Sequence, residues 1–183
     1  MTVTYSRIAV IGAGAMGRGI AQIAAQAGSE VRLLDNAPGA AEQARDAIIA
    51  QWQKLHEKGR FDEARRDALA ALVRPAGGLS ELADCDLVIE AIVERLDVKQ
   101  QLFRDLEAVV APSATLVTNT SSLSVTAIAA TLRHPERFAG FHFFNPVPLM
   151  KVVEVIAGLR TDPRVCAQLA AFAQQMGHSA VQA

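Results

Sequence analysis

Apolar residues follow two alternating patterns along this chain. An unbroken run stands at Ile8-Ala9-Val10-Ile11 and another at Leu87-Val88-Ile89, with shorter or interrupted ones at Val31 with Leu33-Leu34, at residues 115–118 and at residues 138–143. Runs without a polar face suit strands covered on both sides, as in parallel sheets. Between them lie stripes with helical spacing. Met16, Ile20, Ile23, Ala24 and Ala27 form one stripe, and Ala41, Ala44, Ile48, Trp52 and Leu55 form another over residues 40–57. Gly28 and Gly59 supply left-handed stops after them. Asp62 can cap a third helix carrying Ala64, Ala68, Leu69 and Leu72, and a fourth over residues 96–111 turns Val98, Leu102, Phe103, Leu106 and Val110 inward. A further helix is expected over residues 125–132.

Strand and helix alternating in this way predict an α/β fold, a doubly wound and mostly parallel sheet with helices on both faces. The helical pair after the second strand is longer than a crossover needs, so it is expected to project beyond the sheet. Residues 72–74 read as a short strand ended by Pro75-Ala76-Gly77-Gly78. After residue 138 the pattern changes. Residues 138–143 and 151–156 are strands joined by a short loop with Pro146 and Pro148, predicting a hairpin-like antiparallel edge. Asp162 and Pro163 open a last helix with Val165, Leu169, Phe172 and Met176 inward and Gly177 at its end. The last six residues read either as one more strand or as a tail.

The turn after the first run is Gly12-Ala13-Gly14-Ala15-Met16-Gly17. In a strand–turn–helix setting the glycines serve three separate purposes. Gly12 allows the tight turn, Gly14 lets a pyrophosphate approach closely, and Gly17 lets the helix pack on the strand. The free N–H groups and positive dipole end of the helix favour the phosphates. Asp35 closes the second strand at the offset where a carboxylate accepts from both ribose hydroxyls. Asn36, Ala37 and Pro38 follow, with no Arg or Lys for a 2′-phosphate, so NAD is expected over NADP. Arg32, mid-strand, reads as a solvated edge residue rather than as a side chain near the ribose. Strand, turn, helix, strand and acid in one window predict a Rossmann-type dinucleotide fold.

Composition narrows the rest. A chain of 183 residues, 51% apolar and 20% charged, is expected to be one globular domain, short for a two-domain dehydrogenase. A net charge of −1 offers no footprint for nucleic acid or an anionic membrane. Cys85 and Cys166 are too few and too far apart for a disulfide framework or a metal site, and no apolar run is long enough to span a bilayer. The first strand begins too early to leave room for a signal peptide, so a cytoplasmic protein is expected.

Ligands of open α/β sheets bind beyond the carboxyl ends of the strands. There the sequence sets Gly12 to Gly17, Asp35, Ile92 to Glu94, Asn119 to Ser122 and His142 to Asn145. Glu154 is the odd residue in Val152-Val153-Glu154-Val155-Ile156, and a carboxylate in so apolar a strand calls for a partner. His142 is the natural one: a Glu on one ring nitrogen would fix the tautomer and leave the other free to take a proton from an alcohol. The alternative is a solvated Glu154 and a satisfied core His142, and periodicity leaves the two level. His56, His134 and His178, in turns or at helix ends, have weaker claims. Ser121 and Asn145 read either as donors to a substrate oxygen or as local backbone caps. Lys54, Lys58, Arg60, Arg65 and Arg66 read either as a solvated face or as a landing site for a phosphorylated substrate.

The Gly12–Gly17 turn, Glu90-Ala91-Ile92-Val93-Glu94, Asn119-Thr120-Ser121-Ser122-Leu123, and His142-Phe143-Phe144-Asn145-Pro146-Val147-Pro148 with Lys151-Val152-Val153-Glu154-Val155 together resemble the NAD-binding domain of 3-hydroxyacyl-CoA dehydrogenases. The resemblance implies that His142 is the general base for the 3-hydroxyl and Glu154 its partner. It implies that Ser121 and Asn145 hold the substrate oxygen, with Ser121 also near the nicotinamide. Gly12, Ala13, Gly14, Ala15, Met16, Gly17, Asp35, Ala91, Ile92, Glu94, Lys99 and Asn119 would lie along NAD. Lys54 and Lys58 would sit on an acyl-CoA-binding arm. The family continues into a helical second domain that completes the pocket and forms most of a homodimer contact, so this chain is expected to be one domain of a longer protein. A non-catalytic, crystallin-like NAD-binding protein and a dehydrogenase of another small hydroxy acid are the competing readings. His142, Glu154, Ser121 and Asn145 occurring together argue against the first.

Overall fold

The computed structural model describes residues 2–183. Its centre is one eight-stranded sheet: β1 (Arg7–Ile11), β2 (Glu30–Leu34), β3 (Val73–Pro75), β4 (Leu87–Glu90), β5 (Thr115–Thr118), β6 (Phe138–Phe143), β7 (Val152–Ala157) and β8 (Ser179–Gln182). They lie in the order β3-β2-β1-β4-β5-β6-β7-β8. The first six are parallel, β7 runs antiparallel to β6, and β8 runs parallel to β7. The last residues therefore form a strand, and β8 rather than β7 is the sheet edge.

The helices are α1 (Ala15–Gln26), α2 (Ala40–Glu57), α3 (Glu63–Leu72), α4 (Leu96–Val109), α5 (Val125–Ala129) and α6 (Pro163–Gln175). Residues alternate across the strands as the pleat requires. Ile8, Val10, Leu87 and Ile89 enter a core shared with α1, α2 and α6, while Ala9, Ile11 and Val88 enter a second core under α4 and α5. Both faces are covered, which is why these strands carry no polar side. The chain builds outward from β1 through β2 to β3 on one side, then crosses back to β4 on the other side of β1, so the strand order reverses between β1 and β4. The loops after β1 and β4 therefore part and open a crevice at the carboxyl edge.

The α2–α3 pair that follows the second strand is anchored at its base: Trp52 is fully buried and its indole N–H donates to Gln26 Oε1 at 3.0 Å, and Arg45 donates to the carbonyls of Val73 and Ala70. Several expectations are corrected. Ala64 and Ala68 are exposed, and α3 packs through Leu69 and Leu72. Arg32 is not a solvated edge residue, because β3 lies outside β2; its guanidinium pairs with Asp84 and donates to Glu81 O. Helix α5 stops at Ala129. Asp62 and Asp162 cap α3 and α6 as expected, accepting from the N–H groups of Arg65 and Arg164.

Candidate active site and dinucleotide cleft

The glycine turn is shaped by what a side chain would strike. Gly12 has φ +105°, and a methyl there would land on Ala91 O. A methyl at Gly17 would land on Gly12 O, so helix and turn touch backbone to backbone. At Gly14, by contrast, nothing lies within 4 Å of where a Cβ would stand. The protein's own packing leaves that position free, which fits a ligand's close approach. Helix α1 begins there without a side-chain cap and without an acidic residue in its first turn, so its N–H groups face the crevice unneutralised.

Asp35, just past β2, accepts from Ala13 N–H through one oxygen and from Ala37 N–H through the other, both at 2.8 Å. It thus holds the glycine turn as well as its own. Each carboxylate oxygen keeps a second lone pair for a ribose hydroxyl. Arg32, drawn away to Asp84, supplies no cation to this corner.

Beside the turn opens a cavity of about 340 Å³ lined by Met16, Ala91, Ile92, Glu94, Lys99, Asn119, Ser121, His142, Phe143, Phe144 and Asn145. Nine of these are candidate site residues of the sequence, and Phe143 and Phe144 lie within the His142–Asn145 stretch that it placed at this edge. Ala15 lines a neighbouring cavity of about 410 Å³ between α1, α2 and the segment after β6, which Asn145 shares. Lys54 and Lys58 are exposed near the end of α2 and line neither cavity.

His142 and Glu154 are directly opposed across the β6–β7 register, on the sheet face away from Phe141, Phe143, Val153 and Val155. His142 Nδ1 and Glu154 Oε1 are 2.9 Å apart, with the side chains 15% and 33% exposed. Neither residue is therefore a lone group, and the imidazole lines the cavity. Phe144 tilts against the ring at 4.6 Å between centroids. Asn119 Oδ1 accepts from Phe143 N–H at 2.8 Å, tying the end of β5 to the end of β6.

The cavity floor is an ionic cluster. Glu90, fully buried, meets the Lys99 ammonium, accepts from Thr118 Oγ1 at 2.6 Å and from Ile92 N–H at 2.8 Å. Lys99 also pairs with Glu94 at 3.1 Å. Its ammonium is engaged by the protein from beneath. Glu94 accepts from Thr120 Oγ1, Ser121 N–H and Ser122 Oγ. Partial burial opposes its charge, but the hydrogen bonds from Thr120 and Lys99 outweigh that and hold its carboxyl down at about 2. The Ser121 segment is therefore moulded on an ionised Glu94. Glu90 was readable by the logic applied to Glu154, a lone carboxylate ending an apolar strand; its partner nine residues on, in a helix, was not.

The family model for the NAD-binding domain of 3-hydroxyacyl-CoA dehydrogenase matches residues 7–183. The chain belongs to this family. It is an NAD-binding domain of the 3-hydroxyacyl-CoA dehydrogenase type, and the open Gly14 position and Asp35 are the features of this chain that fit the dinucleotide. Among relatives, the 3-hydroxyadipyl-CoA dehydrogenase of Escherichia coli is 43% identical over 99% of this chain and 38% of its own. A probable 3-hydroxybutyryl-CoA dehydrogenase of Bacillus subtilis is 42% identical over 96% of this chain and 61% of its own. A crystal structure of a 3-hydroxybutyryl-CoA dehydrogenase from E. coli superposes with a TM-score of 0.95 at 43% identity, over 100% of this chain and 38% of that one. The chain thus spans between about two fifths and three fifths of these relatives' length.

Proposed function

We propose that this domain is the NAD-binding and proton-abstracting part of an L-3-hydroxyacyl-CoA dehydrogenase. The observation that carries the reading is the His142–Glu154 pair facing a cavity beside the glycine turn. With Nδ1–H donated to Glu154, the Nε2 lone pair is free for the 3-hydroxyl proton. The chemistry that bound NAD supplies is acceptance of the hydride from C3. As the proton arrives the ring becomes cationic, and the Glu154 carboxylate stabilises that charge. Ser121 and Asn145, which line the same cavity, would donate to the substrate oxygen. Gly12 to Gly17 and Asp35 would hold the pyrophosphate and ribose, with Ala91, Ile92, Glu94, Lys99 and Asn119 supporting the nicotinamide end.

An acyl-CoA substrate is supported by the relatives' names, and Lys54 and Lys58 on α2 would meet its phosphates. Fatty-acid or aromatic-acid breakdown is the fitting context. The same proposal includes a helical second domain that closes the pocket and joins two copies, and a cytoplasmic location, supported by two unpaired, buried cysteines. No helix among the described residues is long and apolar enough to cross a membrane. The test is NADH oxidation by the full-length protein with acetoacetyl-CoA. Turnover inhibited by free CoA supports the reading; turnover insensitive to CoA favours a different hydroxy acid, and absence of turnover favours the non-catalytic alternative.

A further inference from the structure

His178 lies outside the chemistry described so far, yet it is one of the few fully buried polar side chains, 3% exposed. It follows α6 and immediately precedes β8. Its Nε2 is 3.0 Å from Val147 O and its Nδ1 is 3.3 Å from Met176 O. Both neighbours are acceptors, and a neutral imidazole donates from only one nitrogen, so the shorter contact to Val147 is the one the proton serves. The ring also meets Phe143 edge-on at 5.8 Å. Val147 belongs to the segment carrying Asn145, which borders both cavities. On its other side Val147 is pressed against α1 at Gly19, where an added Cβ would stand 2.8 Å from Val147 Cβ. The segment is clamped between a glycine on α1 and a buried hydrogen bond from His178.

We infer that His178 is a positioning residue: it holds the segment 144–149 so that Asn145 and the wall between the two cavities keep the geometry needed for the acyl substrate. This rests on the dehydrogenase reading above. The ring touches neither cavity, so its effect passes through the Val147 carbonyl and Phe143, the residue after His142. Removing the donor leaves a buried carbonyl unpaired and frees the segment to shift. Gly12, Gly14 and Asp35, which line neither cavity, are left in place for NAD.

The test uses the full-length protein with 3-hydroxyacyl-CoA and NAD. His178→Phe keeps a ring of similar volume and removes both nitrogens, while His178→Gln restores an N–H donor at similar reach. The expected result for His178→Phe is about a tenfold fall in kcat/KM for the acyl-CoA, the size of one buried carbonyl left unpaired, with the Kd for NAD within about twofold. His178→Gln recovers most of that loss. Wild-type kinetics in His178→Phe, a Gln variant no better than Phe, or NAD affinity falling in step with kcat/KM overturns the inference. If the Phe variant does not fold, Gly19→Ala presses the same segment from the opposite side: the same acyl-selective loss supports the inference, and unchanged kinetics overturns it. Inactive wild-type protein strikes the dehydrogenase reading itself, which separates the two failures.

Discussion

Glu154→Gln removes one charge and leaves the shape of the site almost unaltered. Glu154 Oε1 is 2.9 Å from His142 Nδ1, and the carboxylate is about one-third exposed. Two unit charges about 4 Å apart attract by about 4 kcal/mol near a protein surface and about 1 kcal/mol in bulk water, so a partly exposed pair falls between. A hydrogen bond to a charged group contributes roughly 1.5–3 kcal/mol. In the proposed mechanism His142 starts as the free base, and the full attraction develops only as it takes the substrate proton. The loss therefore belongs in kcat, at about ten- to a hundredfold. The amide can also donate to Nδ1, which selects the other tautomer and removes the free lone pair at Nε2. The assay is steady-state NADH formation by the full-length protein, with NAD affinity measured by calorimetry. The expected outcome is a lower kcat with an unchanged Kd for NAD. A kcat within twofold of wild type refutes the reasoning, and a matching fall in NAD affinity reassigns Glu154 to the cofactor site.

Asp35→Ala removes the acceptor for Ala13 N–H and for the ribose, and calorimetry on the 183-residue chain is expected to show NAD binding at least about tenfold weaker; unchanged affinity, or wild-type protein preferring NADP, contradicts the cofactor assignment. Lys99→Met strips the cation from Glu90, whose side chain is 0% exposed, and is expected to cost about 3–5 kcal/mol in denaturant unfolding. Adding Glu90→Gln should recover much of that, and a single-variant loss under about 1 kcal/mol rules out the buried cluster as a stabilising unit. Glu94, held at about 2 in the fold against an ordinary 4.5, contributes stability that is complete above about pH 4.5 and is lost as pH falls toward 2. The stability difference between wild type and Glu94→Gln is therefore expected to be level near neutral pH and to close across that acid window. A difference that grows on acidification contradicts the assignment.

The strands were legible because parallel strands buried on both faces leave continuous apolar runs, as in Ile8 to Ile11 and Leu87 to Ile89. The glycine turn was legible because backbone-to-backbone contact at Gly12 and Gly17 excludes a side chain, and that exclusion is written as glycine. Glu154 stood out as one charge among valines, and register then set it opposite His142. What was hidden depended on how elements cross. That Lys99 swings beneath β4 to Glu90, that Arg32 turns to Asp84, and that Trp52 folds α2 onto α1 are outcomes of packing between segments with no shared local pattern. Gly19 and His178 were hidden for the same reason: each matters only because the segment around Val147 passes between them.

The central claim is that His142 takes the substrate proton in a site whose cofactor binding does not depend on it. Comparing wild type with His142→Gln in the full-length protein, by acetoacetyl-CoA-dependent NADH oxidation and by NAD calorimetry, tests it most directly. The expected result is a fall in turnover of about a hundred- to ten-thousandfold, the usual contribution of a well-placed general acid or base, with NAD affinity nearly unchanged. Equal turnover in the variant would contradict the claim.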